Sequence, residues 1–157
     1  MTLPPEKSTA VPAIATGGLI VGILDITSAF ITWWCKGVRP VRGLQGIAAG
    51  LLGSQSFQGG VATAGLGLTI HFFVAFMVVI VFYVASRKFQ ILTRHAVVSG
   101  LLYGVVVYLF MYWFVLPNVF PKFRHSISSD VLAVVVHMVL IGLPTALVVR
   151  RYSQRAI

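Results

Sequence analysis

Asp25, His71 and His137 are the residues of this sequence that could do chemistry in an unusual place, because each interrupts a long apolar run. Aspartate and histidine can change protonation near neutral pH, so inside a membrane they serve proton relays, ion sites and solute sites. The same groups can also form a static network that hydrogen-bonds helices together. A carboxylate in the middle of a span costs roughly 2.5–3.5 kcal/mol on insertion scales, which argues that Asp25 faces protein and not lipid. Tyr108 and Tyr112 add two phenols that need partners when buried. The two imidazoles could instead ligate a transition metal or a haem iron between helices. No spacing motif accompanies them, so the expectation is no cofactor, with bis-histidine haem or metal binding as the alternative.

The composition says what must carry these groups. The chain has 157 residues, of which 58% are hydrophobic and 10% charged, with a mean hydropathy of +0.95. A soluble domain carries about 25% charged residues, so this chain lacks the polar surface to cover a globule. Four apolar runs are long enough to cross a hydrocarbon core of roughly 30 Å. They predict spans over about 12–34, 65–86, 96–116 and 129–149, in a single domain covering 1–157. The first run is longer than the apolar part of a cleaved signal and its lead is barely basic, so it reads as a retained span. The fold class expected is all-α: a four-helix transmembrane bundle.

Between spans one and two, Val41, Leu44, Ile47, Ala48, Leu51 and Leu52 recur at helical spacing, with Arg42, Gln45 and Ala49 opposite. That run is too short to span. It predicts an amphipathic interfacial helix over 41–52, followed by a Gly/Ser/Gln hinge from Gly53 to Gly60. Residues 1–10, with Pro4, Pro5 and Glu6, predict a polar tail. Pro117 is expected to stop span three. Ser128 or Ser129 should cap span four, with Asp130 suited to its N-terminus. Gly142 and Pro144 predict a bend in its second half.

Gly18 and Gly22 in span one, and Gly100 and Gly104 in span three, have the small-x-x-x-small spacing that lets helix backbones approach closely. Two such faces also make a homo-oligomer or a larger membrane complex a natural partner arrangement. Net charge is +9, from twelve Lys and Arg against three acids. The basic residues flank the spans, where they meet lipid headgroups, and no groove-reading motif suggests nucleic acid. Seven fall on the side of both termini (Lys7, Arg87, Lys88, Arg94, Arg150, Arg151 and Arg155). Five fall on the other side (Lys36, Arg39, Arg42, Lys122 and Arg124), a bias that favours cytoplasmic termini. The lone cysteine, Cys35, excludes an intrachain disulfide. His125 and Asp130 could serve surface chemistry, but no nucleophile–base spacing accompanies them, so the expectation is not an enzyme.

The segment from Ser99-Gly100-Leu101-Leu102-Tyr103-Gly104 to Met111, ending at Leu116-Pro117, resembles the third span of uncharacterised small bacterial inner-membrane proteins. His71-Phe72-Phe73-Val74-Ala75-Phe76 and His137…Gly142-Leu143-Pro144 are similar to their neighbouring spans. More distantly, the Gly-rich first span and the third-span pattern resemble YagU-type proteins. The resemblance implies a bacterial inner-membrane location and brings no activity or catalytic residue with it.

Depth follows from 1.5 Å of rise per residue. Measured from one surface, Asp25 lies roughly 13 Å down, His71 roughly 9 Å, His137 roughly 12 Å, Tyr108 roughly 13 Å and Tyr112 roughly 7 Å. The acid, both histidines and both phenols should therefore share one polar layer. Such a layer is either a structural network or a site for a proton, ion or small solute, which makes a transporter one of the readings.

Overall fold

The structure, a computed structural model, describes residues 9–120 and 124–153. Residues 1–8 of the expected N-terminal tail lie outside them, as do Lys122 and Arg155, and Ala10, placed at the end of that tail, instead opens the first helix. Six helices follow in order, and among the described residues there is no strand: α1 (Ala10–Cys35), α2 (Pro40–Leu52), α3 (Gly60–Lys88), α4 (Ile91–Arg94), α5 (Ala96–Val119) and α6 (Ile127–Ser153). The four long ones, α1, α3, α5 and α6, are each long and apolar enough to cross a membrane. Their outward faces stay apolar, as at Leu19, Phe73, Val106 and Val135. Exposed apolar surface on this scale has to be met by something other than water, and lipid supplies it. The chain is an all-α, multi-pass membrane protein.

Helix α1 packs against α3 and α6, and α5 packs against α6. The pairing of α5 with α6 is backbone on backbone. A Cβ added at Gly104 would collide with the carbonyl of His137, and one at Gly142 with the carbonyl of Gly100. The α1–α3 contact is of another kind: Gly18 and Gly22 receive the rings of Phe76 and Phe72. Helices α3 and α5, by contrast, pack little against each other. Side chains join them, through Tyr103 Oη donating to the carbonyl of Val78 at 2.7 Å and the Tyr103 ring meeting Phe82 edge-on. Below that junction Phe82, Ala96, Ala146 and Val149 close the core, and Thr16 and Tyr152 hydroxyls meet at 3.0 Å. Above it the bundle splays open.

Helix α2 covers the splayed end. Pro40 opens it, and glycines with positive φ, Gly53 and Gly60 (both 58°), bracket the 3₁₀ turn Gly53–Gln58 that leads into α3. Its orientation differs from the sequence expectation. Gln45, placed on the polar face, is buried, and its Nε2 donates to the carbonyl of Gly60 at 3.0 Å. Val41, Leu51 and Leu52 point outward. Two causes act together. The carbonyl of Gly60 gives the buried Gln45 amide a partner that offsets its desolvation, and apolar side chains lose nothing by facing lipid. Gly67 lets α2 in, because a Cβ there would meet the carbonyl of Leu44.

Neither proline ends or breaks its helix. The expected stop at Pro117 is not made; α5 continues to Val119. The segments Phe110–Val115 and His137–Gly142 are π-helical. Leu116 N–H donates to the carbonyl of Met111, and Leu143 N–H to that of Met138, five residues back in each case. A proline ring clashes with the carbonyl four residues before it, and a widened π turn moves that carbonyl aside. Both sites carry the same order: Met, four residues, Leu, Pro. The cap of α6 also differs from expectation. Ser126, in extended conformation, precedes the first turn instead of Ser128 or Ser129.

Candidate functional site

Asp25 stands on α1 three residues past Gly22, which puts its side chain on the face that α3 covers. His71 on α3 reaches that same face. Its Nε2 is 2.9 Å from the carbonyl oxygen of Gly22, and its Nδ1 is 3.9 Å from Oδ2 of Asp25. The His71 side chain is 10% exposed and that of Asp25 29%. A carbonyl oxygen only accepts, so Nε2 of His71 carries the hydrogen in that contact. Nδ1 is then the nitrogen turned to the acid.

His137 on α6 opens the π-helical segment and is buried. Its Nδ1 donates to the carbonyl of Ala133 at 2.7 Å. Tyr108 and Tyr112 of α5, one helical turn apart, stack on each other with centroids 4.8 Å apart. Both meet the His137 ring edge-on, at 5.9 and 5.7 Å. Asp25 is within electrostatic reach of both His137 and Tyr112.

A cavity of about 300 Å³ joins these groups. Asp25, His71 and His137 line it, from three different spans, and among the described residues they are the only ionisable ones that do. The remaining wall is almost wholly aliphatic: Val21 of α1, Val74 and Val78 of α3, Val107 and Met111 of α5, Ile141 of α6. It occupies the gap where α3 and α5 part. Ile47, Gly50 and Leu51 of α2, with the last turn of α5 around Val119, form its roof. Gly50 passes close to Val119, and Leu51 is largely exposed, so the cavity reaches the outside between α2 and α5. Tyr108 and Tyr112 buttress His137 and are not part of the cavity wall.

One polar feature of this region escaped the sequence: Tyr103, left out of the expected polar layer, ties the lower edge of the cavity to Val78. His125 and Asp130, which the sequence had named together, do pair, Nδ1 to Oδ2 at 3.1 Å, and His125 stacks on Trp113 at 4.4 Å.

A haem would have to enter a cavity of about 300 Å³, at the small end of ligand sites. Among the described residues no group of three or more His, Cys, Asp or Glu could hold a metal ion.

No family model, curated protein or solved structure matches this chain.

Proposed function

We propose that this is a bacterial inner-membrane protein, with cytoplasmic termini, whose cavity holds an exchangeable proton on Asp25 and His71 and passes a small solute. The function is binding and transfer, with no covalent step. One observation carries the proposal: three ionisable side chains from three spans converge on one otherwise aliphatic cavity. A purely structural network would have no need of unfilled space beside it, since protein interiors are close-packed. An apolar pocket with a few convergent polar groups is the usual form of a small-molecule site.

The Asp25–His71 geometry supports the proton. If His71 were neutral and Asp25 ionised, the lone pair of Nδ1 would face a carboxylate. One added proton removes that repulsion, as imidazolium or as carboxylic acid. Charge bias of the loops supports the orientation, in which the α2-covered mouth would face the periplasm.

Nitrogen NMR of histidine-labelled protein in detergent tests this. His71 should show a ring nitrogen signal reporting a shared or full proton at Nδ1, and Asp25→Asn should convert it to a plain Nε2–H tautomer. A His71 signal unchanged by Asp25→Asn would defeat the proposal.

A further inference from the structure

Apart from the proton proposed on the Asp25–His71 pair, every polar side chain that the described residues offer to the cavity is an acceptor. Asp25 presents carboxylate oxygens. His71 has committed its N–H to the carbonyl of Gly22, which leaves a bare Nδ1 in the neutral ring. His137 has committed its N–H to the carbonyl of Ala133, which leaves a bare Nε2. Among the described residues no lysine, arginine, serine, threonine or amide lines the space. Arg42, the nearest cation on α2, lies 3.8 Å over the ring of Phe57 and donates to that residue's carbonyl.

From this we infer that the cavity accepts a small hydrophobic organic ammonium ion, in exchange for the proton held by Asp25 and His71. The inference rests on the proton-holding cavity proposed above and names its substrate class. An ammonium group supplies three donors and no acceptor. Once the proton on the Asp25–His71 pair has left, an anion or a neutral acceptor would meet three lone-pair-bearing groups with no donor among them. The aliphatic wall suits a hydrocarbon body, and a volume of about 300 Å³ limits that body to a small one.

The charge balance is simple. The free site holds one proton on the Asp25–His71 pair. A bound ammonium takes over both of the acceptors that shared it, and the proton leaves. One cation enters and one departs, so the buried charge is unchanged. The groups facing this exchange are Asp25 on α1, His71 on α3, His137 on α6 and, behind His137, Tyr108 and Tyr112 on α5. Helix α2 contributes no ionisable group to the cavity wall.

The test uses the full chain in detergent and three probes of similar shape: benzylammonium, benzyl alcohol and benzoate. Calorimetric titration in buffers of different ionisation enthalpy counts the protons released. Benzylammonium should bind at least about tenfold more tightly than either other probe, with about one proton released per ligand. Asp25→Asn should abolish both the preference and the proton release. Because the probe comparison is made on unaltered protein, it stands even if that variant folds poorly. Equal or tighter binding of benzyl alcohol or benzoate, no binding of benzylammonium, or its binding without proton release would each overturn the inference. The first two outcomes leave the shared His71 proton standing, because the NMR experiment reads it without ligand.

Discussion

His71 bridges two points on α1 that lie three residues apart: Nε2 sits on the carbonyl of Gly22, and Nδ1 looks toward the carboxylate of Asp25. The first contact fixes the ring and the second gives it a task. They are separable by mutation. His71→Gln keeps a donor for the Gly22 carbonyl but cannot take up a proton. Interhelical hydrogen bonds of this sort contribute about 0.6 kcal/mol on average, so His71→Gln should cost little stability. It should nevertheless remove proton release on benzylammonium binding. A reversible unfolding curve beside the calorimetric titration checks both halves, and a large stability loss would mean that His71 is structural.

Filling the cavity should act in the opposite sense. Val74 lines the wall and carries no charge. Val74→Phe occupies ligand space while leaving Asp25, His71 and His137 unaltered. Ligand affinity should fall at least about tenfold, as expected when a preformed apolar site is blocked, and the His71 nitrogen spectrum should not move. Competition binding with benzylammonium reads the first, and the NMR spectrum the second.

The glycines divide sharply by what surrounds them. A methyl at Gly142 meets the backbone of α5 at Gly100 and Gly104, and backbone cannot step aside. Gly142→Ala should therefore destabilise by about 1–3 kcal/mol, the usual cost of overpacking. Gly65 faces open space on α3. Gly65→Ala should be neutral, or stabilising by up to about 1 kcal/mol through helix propensity. Paired thermal melts in one detergent compare them, and an inverted order would show that the α5–α6 contact is not as close as described.

What the sequence made legible, and what it hid, follows from the range of the physics involved. The four spans were readable because twenty apolar residues in a row have few other uses. The common depth of Asp25, His71 and His137 was readable because helical rise is nearly constant, and the structure brings those three to one cavity. The facing of α2 was not readable. Hydrophobic periodicity finds a stripe but cannot tell whether protein or lipid will meet it, and here Gln45 turns inward while Leu51 turns out. Continuation of α5 through Pro117 was hidden for a similar reason. A proline's local effect is to end a helix, and here a π-helical widening ahead of it accompanies the chain's continuation. The splay of α3 from α5, which creates the cavity, depends on which helix pairs pack closely, and no single segment encodes that.

Thr145 offers a test of packing away from the cavity. Its Oγ1 is fully buried and has no hydrogen-bond partner among the described residues. Valine has nearly the same shape and no hydroxyl to desolvate. Thr145→Val should stabilise by up to about 1–3 kcal/mol, the cost of an unmade buried hydrogen bond. Thermal unfolding measures it, and a lowered midpoint would mean that the hydroxyl does find a partner.

The π-helical turns connect the prolines to the chemistry. His137 is the first residue of the widened segment that ends two residues before Pro144. A π turn holds one more residue than an α turn, and so rotates the preceding helix by about 100° relative to the following one. Pro144→Ala restores an N–H and removes the ring that the widening accommodates. The segment is then free to tighten to α-helical register, which turns His137 away from the cavity. The expected result is a changed nitrogen spectrum for His137 and weakened benzylammonium binding, with the His71 signal retained because α1 and α3 are untouched. Pro117→Ala makes the matching test on α5, where the group displaced is Tyr112. If neither substitution alters the ring environment of its histidine or tyrosine, packing alone sets the π geometry and the prolines are passengers.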